Sequence, residues 1–348
     1  MPEPKDRVMA AVTLQECDRI PCNLTLSYFV ARYNGVTMED YIKDQDLCME
    51  LQHKTFEDLG GSDMVSLPPP CLGNSPESVK FLPVLSKRPG IELPSDIIPQ
   101  YDETERMLPE HYDIVIEKGW SRYVEECLAP AILSGQMKED TAPVKKQRHG
   151  DAWNRRFYED KDVFLYPRDV IMLPFEVLSF ARSMEKFMID LYRRPDKVLA
   201  ALDAVWQDTV ESSLAKMDAA IKFVSVPANR FSGGFISTRH FEQFALPQLL
   251  RLVDLLVSRG LIIFFHLDQD WTNMLPYFRE FPKGNYLLHF DGTTDIFKAK
   301  EILGDRMCLM GDVPARLLKL GTPRDIEAYC QKLIDVVGKG SGFILSAG

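Results

Sequence analysis

The strongest restriction on how this chain can fold is the alternation of strand-like and helix-like segments through its second half. The strand-like runs are AIKFVSVPAN (220–229), LIIFFHL (261–267), NYLLHFDG (285–292), RMCLMGDVP (306–314) and GFILSAG (342–348). Between them lie stretches with helical apolar spacing. FEQFALPQLLRLVDLLVSRG (241–260) stops on Gly260, and TTDIFKAKEILG has Thr294 as its expected cap. TPRDIEAYCQKLIDVVGKG (322–340) has Thr322 as cap and Pro323 in the first turn, and residues 274–284 read as a short helix or turn. Strands joined by helical crossovers pair in parallel and are covered on both faces, which is why they read as continuous apolar runs.

Weaker strands at RIPCNLTL (19–26), GSDMVSLPP (61–69) and RDVIMLPFE (168–176) bring the expected total to eight. Eight parallel strands predict an α/β fold of the (β/α)8 TIM-barrel type. An open doubly wound sheet is disfavoured, because no glycine-rich phosphate loop follows the first strand. One domain over 1–348 is expected, with no helix after the eighth strand. Residues 71–165 break the rhythm, being rich in Pro, Gly and charge, and HYDIVIEKGWSRYVEE within them predicts a β-hairpin. An insertion of that length after strand two is expected to lie over the barrel mouth as a lid.

Composition narrows the partners. The formal net charge is −10, and phosphate binding needs a basic footprint, so nucleic acid is excluded as the main partner. No run approaches the ~18 apolar residues of a membrane helix, and MPEPKDRVMAAV has no apolar signal core. The seven cysteines are scattered without a CxxC pair, which fits reduced thiols and a cytoplasmic protein.

In an eight-stranded α/β barrel the site gathers at the C-terminal ends of the strands. FFHLDQDW (264–271) ends one strand with His266, Asp268 and Asp270 at every second position, so an extended chain points all three the same way. His266 and Asp268 are one imidazole and one carboxylate, suited to sharing a proton or a divalent ion. The same residues could instead be a strand-end histidine with carboxylates capping the next turn. Neighbouring strand ends place Asp291, Asp312, Asn229 and Glu176 in the same ring, and His289 repeats the His-x-Asp pattern one step deeper. Arg32 and Tyr28, after strand one, are candidates for binding a substrate carboxylate and lining an aromatic pocket.

FEQFALPQLLRLVDLL, FFHLDQDW, DIFKAKEILGD and MGDVPARLLKLGTPRDIEAYCQKLIDVVGKGSGFILSAG together resemble the uroporphyrinogen decarboxylase superfamily, in its corrinoid-dependent methyltransferase branch. KDRVMAAVTLQECDRIPC and TFEDLGGSDMV match more loosely. The resemblance implies an α/β barrel of that type. It also implies demethylation of a small O-, N- or S-methyl compound, with methyl transfer to or from a corrinoid carried by a separate protein, assisted by zinc. The zinc-dependent members carry His-x-Cys after this strand and a further Cys after the last one. Here His266 and Asp268 occupy the first pair as expected metal ligands, and Asp291 joins them as a catalytic candidate. The alternative is a metal-free decarboxylase of a porphyrin or other small acid, but SYFVARYNG keeps only Arg32 of the arginine-rich stretch of the haem-pathway decarboxylases.

Overall fold

The computed structural model describes residues 2–67, 75–134 and 148–348. Parts of the strand expected over 61–69 and of the insertion expected over 71–165 lie outside the described residues, as does Cys71. The strands are β1 (Asn23–Thr25), β2 (Met64–Ser66), β3 (Leu85–Lys87), β4 (Gln100–Asp102), β5 (Phe164–Leu165), β6 (Phe223–Ala228), β7 (Ile262–Leu267), β8 (Tyr286–Phe290), β9 (Cys308–Val313) and β10 (Phe343–Ala347). One parallel sheet runs β1-β2-β5 and a second β10-β9-β8-β7-β6. Single parallel bridges, Cys22 to Leu345 and Val170 to Ser225, join the two sheets at both edges. The eight expected parallel strands are therefore present, in two sheets linked by a single bridge at each edge, an order compatible with the expected (β/α)8 barrel. β3 and β4 form a separate antiparallel hairpin.

Three local expectations are corrected. The strand placed over 168–176 pairs only at Val170; the ladder residues precede it in β5, and Pro174–Arg182 is a helix. A proline in the first helical turn loses no hydrogen bond there, so LPFE opens a helix instead of closing a strand. HYDIVIEKGWSRYVEE is helical, His111–Lys118 and Trp120–Tyr123, broken at Gly119 with φ 84. Its buried residues Tyr112 and Val115, then Trp120 and Tyr123, are spaced three apart, and that helical stripe outweighs the local alternation of DIVI. The helix Ile296–Leu303 is capped by Asp295, which accepts from Lys298 N, while the Thr294 hydroxyl receives Trp271 N.

The barrel interior changes character along its axis. The helix Pro4–Val12 plugs one end, where Val8, Ala11 and Val12 pack with Met64, Phe164, Phe264, Leu287, Cys308, Met310 and Ile344. Two residues further along five of these strands, on the same inward side, stand Ser66, Tyr166, His266, His289 and Ser346. Asn23 joins them: its Nδ2 donates to Ser346 Oγ at 3.0 Å, and Ser66 Oγ donates to Asn23 Oδ1 at 3.2 Å. The opposite parity of β7, Ile263, Phe265 and Leu267, lies in the larger core between sheet and helices. Burial on both faces accounts for the unbroken apolar run that precedes His266. No helix among the described residues is long and apolar enough to cross a membrane, and the described cysteines are free thiols.

Candidate functional site

β7 delivers His266 and Asp268 to the open end of the barrel. His266 Nε2 lies 3.3 Å from Asp268 Oδ1, and both side chains are 37% exposed. β7 and β8 are in register with His266 opposite His289, so the two rings meet, Nδ1 to Nδ1 at 3.0 Å. His289 is buried, and its Nε2 donates to the Ala347 carbonyl at 3.1 Å. Burial, reinforced by the neighbouring His266, pushes the His289 imidazole down to about 3, so it is neutral at ordinary pH. Burial alone would push the Asp268 carboxyl up, but the His266 hydrogen bond and charge outweigh it and leave Asp268 below its usual value.

The turn after Asp268 is held by Asp291. Gln269 takes a left-handed conformation, φ 68, that residues other than glycine rarely adopt. Its N–H donates to Asp291 Oδ2 at 2.8 Å, while Asp291 Oδ1 accepts from Thr293 N at 2.8 Å. Both oxygens of the expected catalytic Asp291 thus fasten backbone, and Asp270 likewise accepts from Thr272 N. Asp291 holds the backbone immediately after Asp268.

Glu176 is fully buried in the first turn of the helix Pro174–Arg182. Its Oε1 accepts from Asn229 N at 2.6 Å and from Arg230 N at 2.7 Å, just past the end of β6. Glu176 Oε2 and Asn229 Oδ1 have no hydrogen-bond partner among the described residues. Burial raises the Glu176 carboxyl to about 7, and the charge of Asp268 contributes in the same direction. The two backbone N–H groups and the charge of Arg230 offset burial only in part; the guanidinium itself stacks on Phe180 and bonds Glu103 at 2.7 Å, tying the inserted segment to this end of the barrel.

The remaining candidates make other contacts. Asp312 accepts from Tyr329 OH at 2.9 Å, on the helix Pro323–Val336, and burial raises it to about 6. Tyr28 packs half-buried against the cluster of Leu26, Val30 and Val65, and Arg32 is exposed on the helix Phe29–Tyr33. His289 is the packed interior histidine expected one step deeper than Asp291, and Tyr166, Ser66, Asn23 and Ser346, not expected from the sequence, lie with it. The parity that singled out His266 marks several of these too, once each strand's inward side is known.

The donors permit a test of the zinc expectation. Two ligands on one tetrahedral zinc, each at about 2.0–2.1 Å, are about 3.3 Å apart, and His266 Nε2 and Asp268 Oδ1 have that separation. Yet among the described residues no group of three or more His, Cys, Asp or Glu could hold a metal ion. A zinc centre with three protein ligands therefore does not fit these residues.

The sequence profile described as uroporphyrinogen decarboxylase (URO-D) matches residues 170–348, the half that carries β6 to β10 and the His266 pair. The chain belongs to the uroporphyrinogen decarboxylase (URO-D) family. Within that family, uroporphyrinogen decarboxylase of Cellvibrio japonicus is 25% identical over 178 residues, covering 49% of this chain and 46% of the relative. The enzyme of the same name from Pseudomonas aeruginosa strain LESB58 is 24% identical over 174 residues, 48% of this chain and 47% of the relative. The chain thus spans about half the length of the curated relatives it matches. A solved methyltransferase from Methanosarcina mazei aligns over 99% of this chain and 92% of its own, with a TM-score of 0.64 and 16% identity. At that identity the likeness concerns the fold, and it places this URO-D chain among closed α/β barrels.

Proposed function

We propose that this chain is a methyltransferase that takes the methyl group from a small O-, N- or S-methyl compound and passes it to a corrinoid carried by a separate protein. The observation that carries this reading is the imidazole–carboxylate pair, His266 Nε2 and Asp268 Oδ1, at the open end of a barrel shaped like a known methyltransferase. When the methyl carbon bonds to its acceptor, the electron pair of the broken C–X bond stays on the heteroatom X. That atom then needs a proton. His266 and Asp268, 3.3 Å apart, are placed to hold one proton between them and give it to X as it leaves. The step draws on the chain's own groups, since among the described residues no third His, Cys, Asp or Glu joins these two as a metal ligand.

The test is turnover of methylated alcohols, amines, thioethers and aryl ethers, with a reduced free cobalamin as acceptor and its visible spectrum as the readout. Wild type is expected to methylate the acceptor, and His266→Ala to lose ~10²–10⁴ in rate. Full activity in His266→Ala, or no turnover of any donor class, overturns the proposal. The decarboxylase names of the curated relatives favour a second reading, metal-free loss of carbon dioxide from a porphyrin or other small acid. It ranks second because a polycarboxylate needs cations, and Arg230 at this end is already held by Glu103.

A further inference from the structure

We infer that His289 is a positioning residue: it keeps the hydrogen of His266 on Nδ1 and so reserves His266 Nε2 for exchange with Asp268 and substrate. The inference rests on the reading that His266 is the reactive imidazole. It follows from counting donors along a chain of three contacts. The Ala347 carbonyl can only accept, so the His289 nitrogen facing it, Nε2, carries a hydrogen. Above the ordinary histidine range the ring carries no second hydrogen, so Nδ1 has only a lone pair. His266 Nδ1, 3.0 Å away, must therefore be the donor.

Asp268 competes for the same hydrogen. A neutral His266 has one N–H and faces two acceptors, Asp268 Oδ1 at 3.3 Å and His289 Nδ1 at 3.0 Å. Exposure decides between them. Asp268 is 37% exposed and can turn its oxygens to water, whereas His289 is 7% exposed and has no other donor for Nδ1 among the described residues. Leaving a buried acceptor empty is the costlier option. The hydrogen stays on Nδ1, and the Nε2 lone pair faces the open end. An imidazole oriented by a hydrogen bond on its far nitrogen is the usual device for presenting the near one.

The test reads tautomers directly and needs no turnover. Nitrogen-15 NMR of histidine-labelled full-length chain at pH 9, well above the ordinary histidine range, distinguishes the two forms, with His266 assigned from the spectrum of His266→Asn. Wild type is expected to show protonated Nδ1 and unprotonated Nε2 at His266. His289→Gln keeps that pattern, because its amide can accept from His266 and donate to Ala347. His289→Leu moves the hydrogen to Nε2. In turnover, Leu is expected to lower kcat at least tenfold with KM little changed, and Gln to restore it to within a few fold. A wild-type spectrum with unprotonated Nδ1 overturns the inference even if the Leu variant fails to fold. So does a Leu variant that retains the wild-type tautomer. Loss of the methyl-transfer reading would leave these spectra unchanged, so the two failures are distinguishable.

Discussion

Replacing Glu176 by Gln should change how the stability of this protein varies with pH. Glu176 is fully buried, and its carboxyl sits at about 7 in the fold against 4.5 for the ordinary group. A raised carboxyl stabilises the fold through its protonated form. The contribution is complete below the unfolded value, near 4.5, and is lost as the pH rises through about 7. The separation of the two values converts to about 3 kcal/mol at ~1.4 kcal/mol per unit. Gln has no proton to lose. Its carbonyl can keep the bonds from Asn229 N and Arg230 N, and its amide brings a donor to a corner where Asn229 Oδ1 has none. Relative to wild type, Glu176→Gln should therefore gain about 3 kcal/mol between pH 4.5 and 8, most of it before pH 7.5. The difference between the two proteins is the quantity to follow. His289, depressed to about 3, tilts the wild-type curve the other way, contributing stability above about 6.5 that is lost as the pH falls. Asp312, raised to about 6, tilts it the same way as Glu176. Both remain in the variant. Urea denaturation followed by tryptophan fluorescence at half-unit steps supplies the curves. Parallel curves within about 0.5 kcal/mol, or a variant that loses ground as the pH rises, would refute the assignment of a buried, largely protonated Glu176.

Asp268→Asn keeps the shape of the pair but not its proton acceptor, and should cut turnover ~10²-fold while leaving the melting temperature within a few degrees of wild type; an unchanged rate would remove Asp268 from the chemistry. Protein supplemented with zinc and then dialysed should retain less than about a tenth of an equivalent, since two donors hold an ion weakly; a full equivalent by elemental analysis would contradict the donor count. Arg182→Ala leaves Asp190, itself 1% exposed, without its buried guanidinium partner at 2.7 Å. Urea melts should show a loss of about 3 kcal/mol, and a loss under 1 kcal/mol would mean that Arg194 and Tyr112 suffice for that carboxylate.

What could be read in advance follows the range of the interactions. β6 to β10 are five or six residues long and buried on both faces, so their runs stand out and their parity is countable. That is how His266 and Asp268 were recognisable as a same-side pair. β1, β2 and β5 are two or three residues long, too short to show any period, and the third strand was accordingly misplaced past its own ladder into the start of a helix. The partnership of His266 with His289 depends on the register of β7 against β8, which no spacing within either strand reveals. One aligned pair fixes it, and the chain of contacts reaches from Ala347 in the last strand through His289 to His266. The same limit explains Asp291 and Asp312. Both sit at strand ends as a ring of carboxylates requires, yet one is taken by the backbone of the Gln269 turn and the other by a tyrosine on an outer helix. Position along a strand says which end of the barrel a side chain reaches; only the neighbouring turn or helix decides whether its oxygens remain available to a substrate.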